Sequence, residues 1–347
     1  MRCAIAASAG EKNAGERMMR VLAILAGFVA VLAATFLIVR TPDSDRDAMI
    51  AKYGGPDAMF ADGAGGMKVH WRDEGCRDCP AIVFLHGSIA SLHAWKPLVE
   101  RLGGEYRIIS YDQPGHGLTG AHPRDDYSAA GMFEALNAVA NAARLDHFYL
   151  GGNSLGGWVA WRYALAYPER VDGLILIDAA GAPLRDGETP PPLNLGFRMM
   201  KNPLLRPLVE QITPRDLVAK SILETTANDS IVTDEMIDLY WELLRVPGNR
   251  RAGAIRATTD REESYSDRLD EITAPTLIIW GAEDQLIYVS AAETFAERIP
   301  DTDVVILDGV GHLPMEEAPD ATANAIRRFL EAQQPEAVDA LKLEQPQ

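Results

Sequence analysis

Five residues, Gly152-Asn153-Ser154-Leu155-Gly156, carry the pattern G-x-S-x-G. They follow the apolar triplet Phe148-Tyr149-Leu150 and open a stretch of helical character at 155–167. A serine at such a strand-to-helix turn is held in a sharp, strained conformation with its Oγ exposed. Small flanking residues are needed because strand and helix approach closely, and Gly157 lengthens the small run. The competing reading is a plain glycine-rich turn; the strand before it and the helix after it favour a nucleophile. A serine hydroxyl is a poor nucleophile near neutral pH, so it needs a general base, and the base needs an orienting acid. For this kind of turn the acid and then the base follow the serine along the chain. Downstream of Ser154 there is one histidine, His312, in Gly309-Val310-Gly311-His312, directly after a strand-like run at 303–307. The acid is expected after the preceding run at 276–280, in Gly281-Ala282-Glu283-Asp284. Asp284 is favoured and Glu283 is the alternative; Asp178, after the run at 171–177, is a second possible source. A tetrahedral intermediate also needs an oxyanion hole. Its donors are expected to be the backbone N–H of Leu155 and that of Ser88, with Ile89 next, in Leu85-His86-Gly87-Ser88-Ile89. His86 stands in the wrong chain order for a base and reads as a structural hydrogen-bonder.

These residues need a scaffold that brings distant segments to one rim. From about residue 67 the chain alternates short apolar, strand-like runs (67–71, 81–85, 106–111, 148–150, 171–177, 276–280, 303–307) with helical stretches (92–102, 128–143, 155–167, 291–299, 321–332). That alternation signals an α/β fold, a mostly parallel sheet with both faces covered by helices. Ser290 and Glu293 make an S-x-x-E capping box at the start of one helix. The alternation breaks between about 181 and 262. Pro190-Pro191-Pro192, Phe197, Met199, Met200, Leu204, Leu205, Met236, Tyr240 and Trp241 fall there, mostly at helical spacing. A helical cap at 182–262, over the sheet edge where ligands bind in open α/β folds, is expected. It would split the core into 46–181 and 263–335, leaving a polar tail at 336–347.

Of the 347 residues 47% are hydrophobic and 24% charged, which is ordinary globular usage. The net charge of −17 argues against nucleic-acid binding, which needs a basic patch. Residues 1–40 carry +3 and the remainder −20. Within the first 45 residues, 21–39 is a run of 19 without a charge, bracketed by Arg20 and Arg40. A helix of that length spans roughly 28 Å, close to a hydrocarbon core. A membrane anchor is favoured over a cleaved signal segment, with the basic N-terminus cytoplasmic and the body outside it, or secreted after cleavage. Cys76 and Cys79 form C-x-x-C ahead of a strand rather than a helix, so a loop disulfide or two free thiols is expected, not redox chemistry or zinc.

His86-Gly87 with Trp95, Asp112-Gln113-Pro114-Gly115-His116-Gly117, Gly152 to Gly157, Trp280-Gly281-Ala282-Glu283-Asp284 and Gly311-His312 together resemble the α/β-hydrolase superfamily, across about residues 67–332. The resemblance implies an α/β-hydrolase fold with a helical cap over 181–262 and a structural turn at 112–117. Haloalkane dehalogenases and the related epoxide hydrolases use an aspartate nucleophile, whereas this chain has Ser154. Carbon–carbon bond hydrolases share the serine but usually carry Gly-Pro-Gly in the oxyanion loop, where this chain has Ser88-Ile89-Ala90-Ser91. The leading expectation is a serine hydrolase that cleaves a carboxylic ester or lactone of a small or acyl-type substrate, without metal or organic cofactor. Cleavage of a ring-fission product by the same three residues is the alternative. A non-catalytic ligand-binding member of the fold is the third reading.

Overall fold

The computed structural model describes residues 2–55, 58–193, 195–258 and 263–333. The expected tail at 336–347 lies outside the described residues, as do residues 194 and 259–262 of the expected cap. The chain divides into two compact units. The smaller comprises residues 1–42 with Gln211–Thr213. Most of it is one helix, α1 (Arg2–Val39). Its stretch Arg17–Val39 has a mean hydropathy of 2.8 and none of it is buried, which makes it a candidate membrane span. Its 23 residues reach about 35 Å as a helix, enough for a hydrocarbon core of about 30 Å.

The larger unit is built on eight strands: β1 (Met59–Asp62), β2 (Lys68–Gly75), β3 (Ala81–Leu85), β4 (Arg107–Tyr111), β5 (Phe148–Asn153), β6 (Val171–Ile177), β7 (Thr276–Gly281) and β8 (Thr302–Leu307). Their order is β1-β2-β4-β3-β5-β6-β7-β8. β1 and β2 run antiparallel to their neighbours, and from β4 through β8 every pair is parallel. The helices of this unit are α2 (Arg46–Met49), α3 (Lys96–Leu102), α4 (Ala129–Ala142), α5 (Leu155–Ala166), α6 (Leu195–Lys201), α7 (Arg206–Val209), α8 (Arg215–Leu223), α9 (Asp234–Leu244), α10 (Asn249–Arg256), α11 (Ser290–Arg298), α12 (Pro314–Glu317) and α13 (Pro319–Gln333). The segment between β6 and β7 thus contributes five helices, α6 to α10, and no strand among its described residues.

Two cores explain why the central strands are apolar along their whole length. Val83, Leu85, Phe148, Leu150, Ile278 and Trp280 pack against α4, α5 and α11 on one face. Their sequence neighbours Ile82, Phe84, Tyr149, Leu277 and Ile279 pack against α3 and α13 on the other. Successive strand residues point to opposite faces, so a strand covered on both sides needs apolar residues at every position. Each such side chain contributes about 1.5–3 kcal/mol on burial.

Three local expectations need correction. β1 is a strand that the sequence pattern did not reveal; it is four residues long and pairs through Phe60 with His70. β2 runs on to Gly75 rather than stopping at residue 71, because its polar end pairs with β4 and Asp73 takes two hydrogen bonds from Arg107, at 2.9 and 2.8 Å. Ser290 does not cap α11. The cap position falls to Val289, while Ser290 Oγ donates to the Glu188 carboxylate and Glu293 pairs with Arg185 at 2.7 Å. Here tertiary partners outbid a local capping pattern. Cys76 and Cys79 are disulfide-bonded in the turn between β2 and β3, with Cα atoms 5.4 Å apart.

The turn after β4 is organised by one buried carboxylate. Asp112 Oδ1 accepts from Leu92 N–H at 2.8 Å. Its Oδ2 accepts from Leu118 N–H at 2.8 Å and lies 2.8 Å from His70 Nδ1. Gly117 sits at φ +48°, and a Cβ there would come within 2.1 Å of the Asp112 carboxyl, so only glycine fits. Burial works against ionisation of Asp112, but the His70 hydrogen bond and charge outweigh it and hold the carboxyl well below the usual range. Asp112→Ala would leave these buried donors without an acceptor. It should lower stability by about 3–5 kcal/mol in urea unfolding, and a loss under 1 kcal/mol would contradict the hub.

Candidate active site

Ser154 links β5 to α5 at φ 54°, ψ −116°. A non-glycine residue there carries strain of about 1–3 kcal/mol, which the surroundings must hold. They do so through the backbone: Ser154 N–H donates to Ile177 O at 3.1 Å, and Ser154 O accepts from Trp158 N–H and Ala180 N–H at 3.0 Å each. Glycine is obligatory on both sides of the turn. A Cβ on Gly152 would lie 2.3 Å from Gly156 backbone, and one on Gly156 would lie 2.0 Å from Leu85 O. Leu155 opens α5, so its N–H has no acceptor within the helix. The loop after β3 lies against the elbow: a Cβ on Gly87 would sit 3.2 Å from Ser154 Cβ. Ser88 and Ile89 follow, and Ile89 holds φ 68°, an uncommon conformation for a β-branched residue.

Asp284 and His312 meet. His312 Nδ1 and Asp284 Oδ2 are 2.7 Å apart, both side chains buried. Asp284 Oδ1 accepts from Leu286 N–H at 2.7 Å and Ile287 N–H at 3.1 Å. With Nδ1–H turned to the carboxylate, a neutral His312 ring leaves Nε2 as its accepting nitrogen. Glu283 is exposed, and its described bonds are through its backbone, so of the two neighbouring acids only Asp284 reaches the imidazole. The loops of residues 154 and 312 are joined by Asn153, whose Nδ2–H₂ donates to His312 O at 3.0 Å and to Ile177 O at 3.2 Å.

Asp178 lies at the end of β6 with φ 43° and takes one hydrogen bond, from Gly281 N–H at 3.0 Å. Burial, and then the Asp284 charge, push its carboxyl well above the ordinary range. Asp284 is met by three donors and Asp178 by one amide, and it is at Asp178 that the surroundings favour the neutral carboxyl. Asp178, Asp284 and His312 hold ligand-type atoms within 4.8 Å of one another. His312 Nδ1 is committed to Asp284, and Asp284 and Asp178 accept from backbone amides, so the three side chains form a hydrogen-bond network.

His86 is wholly structural: Nδ1 lies 2.8 Å from Gly87 O, and Nε2 accepts from Gln113 N–H at 3.1 Å. Burial lowers its pKa and so favours the neutral ring. A cavity of about 390 Å³ lies beside α4 and α5, with Leu155, Trp158, Phe133 and Tyr265 among its walls but not Ser154.

The segment around His312 is held from the helical insertion, which the sequence pattern did not disclose. His312 N–H donates to Thr225 O at 2.8 Å. The Glu317 carboxylate accepts from Gly311, Leu313, Ala227 and Asn228 N–H, at 2.8–3.2 Å. Tyr240 of α9 donates to Glu316 Oε2 at 3.0 Å. Only Glu316-Glu317 so soon after His312 could have hinted at this clamp.

A doubly covered, mostly parallel sheet, a strained serine elbow and a buried Asp–His pair on later loops define a hydrolase of the α/β class. The chain belongs to the alpha/beta hydrolase family, whose model matches residues 82–325. It is 30% identical over 258 residues to the monoacylglycerol lipase ABHD6 of Mus musculus, covering 72% of this chain and 75% of that one. Lipase 1 of Psychrobacter immobilis is 28% identical over 282 residues, covering 78% and 84%. The structure of the meta-cleavage product hydrolase CumD from Pseudomonas fluorescens IP01 superposes with a TM-score of 0.65 at 22% identity, over 80% of this chain and 97% of that one.

Burial pushes Glu316 from the ordinary 4.5 up to about 7; the Tyr240 hydrogen bond pulls the other way and the neighbouring Glu317 charge adds to the rise. A carboxyl raised in the folded state binds its proton more tightly folded than unfolded, so its contribution is full below pH 4.5 and fades as pH rises through about 7. Glu316→Gln, fixed in the neutral form, should therefore gain melting temperature relative to the wild type as pH is raised across that window. A difference that stays flat with pH would contradict this assignment.

Proposed function

We propose that the protein is a serine hydrolase that cleaves a carboxylic ester or lactone through an acyl-enzyme on Ser154. The single observation that carries this reading is the 2.7 Å contact of His312 Nδ1 with Asp284, which leaves Nε2 as the base on a loop tied to the serine elbow. In the proposed reaction Ser154 Oγ bonds to the carbonyl carbon while its proton passes to His312 Nε2. Asp284 stabilises the imidazolium. The oxyanion takes hydrogen bonds from Leu155 N–H and Ser88 N–H. Collapse breaks the ester C–O bond, and the alcohol leaves with the proton from His312. Water then attacks the acyl carbon, giving its proton to His312. That proton returns to Ser154 Oγ as the carboxylic acid departs.

The relatives named monoacylglycerol lipase and lipase support a lipid-type ester with an apolar acyl chain. The segment 182–262 would serve as the cap over this site. The apolar Arg17–Val39 helix supports a membrane-anchored enzyme. The Cys76–Cys79 disulfide supports an extracytoplasmic body, since such bonds persist in oxidising compartments. Carbon–carbon cleavage of a ring-fission product is the second reading; the likeness to CumD, at 22% identity, speaks for the shared fold alone.

Ser154→Ala should lower kcat/KM on p-nitrophenyl and monoacylglycerol esters by at least about 10³-fold, with its melting temperature close to that of the wild type. Retained turnover would refute the nucleophile. A ring-fission dienoate should keep its visible absorbance in the presence of the wild-type enzyme. Its rapid bleaching, with ester turnover weak, would replace the first reading by the second.

A further inference from the structure

Among the described residues outside α1, eight large hydrophobic side chains are exposed, and five of them fall at 184–208: Leu184, Leu193, Leu195, Leu204 and Leu208. Leu204 is 86% exposed, the most of the eight. It stands at the tip of the turn between α6 and α7. That turn is built rather than loose: Leu204 N–H donates to Asn202 Oδ1 at 2.9 Å and Leu205 N–H to Asn202 O at 3.1 Å. Beneath the tip, Met200 of α6 and Val209 of α7 are buried. The helix pair is therefore apolar on both sides, and one side already has its partner within the protein.

The charges of the same stretch narrow what the other side meets. The chain holds 50 acidic residues, yet none occurs from 189 to 209, while Arg198, Lys201 and Arg206 do. Arg198 and Lys201 are exposed. Leucines interleaved with cations on an otherwise acidic protein suit an interface that is apolar within and anionic at its surface. The tether agrees: only residues 40–45 separate the apolar helix from α2, the first helix of the body.

We infer that the leucine face of residues 193–208 docks on the surface of an anionic lipid bilayer, with Leu204 entering the acyl region and Arg198 and Lys201 meeting lipid phosphates. This surface would seat the insertion at the membrane and present its exposed leucines to lipid. The inference holds whichever bond Ser154 cleaves, because its test reads lipid contact and not turnover.

The test uses the full chain, with Cys3→Ser, reconstituted into vesicles whose phosphatidylglycerol and phosphatidylcholine acyl chains carry bromine. An environment-sensitive fluorophore is placed by Leu204→Cys, and in a second sample by Lys96→Cys, on α3 and 73% exposed. The fluorophore at position 204 should be quenched at least about 2-fold more than that at position 96, and Arg198→Glu with Lys201→Glu should abolish the excess. Equal quenching at the two positions overturns the inference and would turn the patch over to a second copy or another protein. Excess quenching that survives the charge reversal overturns the anionic part of it.

Discussion

The contact between His312 and Asp284 is the interaction on which the rest of the site depends. The carboxylate that orients the ring is itself held in place by the amides of Leu286 and Ile287, which donate to its other oxygen. At Asp178, close by and served by one amide, burial and the neighbouring carboxylate push the pKa well up and favour the neutral form. The sheet makes the contact geometrically possible. β7 and β8 are parallel neighbours, so the loops that leave them emerge on one edge. Gly281 lets those loops touch, since a Cβ there would lie 1.9 Å from Gly311 O. β5 delivers Ser154 to the same edge, and the Asn153 side chain ties the elbow to the histidine loop.

Much of this was legible in the sequence because its signals are local. Doubly covered strands announce themselves as unbroken apolar runs, and a serine elbow needs glycines at fixed offsets. The sequence favoured Asp284 but left Glu283 open; which carboxyl meets the imidazole turns on the one drawn inward by the Leu286 and Ile287 amides. What escaped were features set by tertiary partners. β1 is too short to show alternation, the polar half of β2 looks like a loop until Arg107 meets Asp73, and Ser290 abandons its capping pattern for Glu188. Asn153 occupies the unspecified position of G-x-S-x-G, so no pattern marks it as a latch.

The helical insertion is tied into the histidine loop. Thr225 O receives the His312 N–H, and Glu317 gathers amides from both sides of the junction. Movement of residues 225–228 would therefore pull on the loop that carries the imidazole. The exposed leucines lie elsewhere in the insertion, on α6 and α7, in the turn between them and in the segment before α6. Membrane contact and active-site order would then belong to different segments of one insertion.

In the proposed reaction Ser154 owes its nucleophilicity to His312, and phosphonylation reads this out, using a fluorophosphonate probe, tryptic mapping and mass spectrometry on the full chain. A single adduct on Ser154 is predicted, formed at least about 10³-fold more slowly in His312→Ala. An adduct on another residue, or full-rate labelling of Ser154 without the imidazole, would contradict the account.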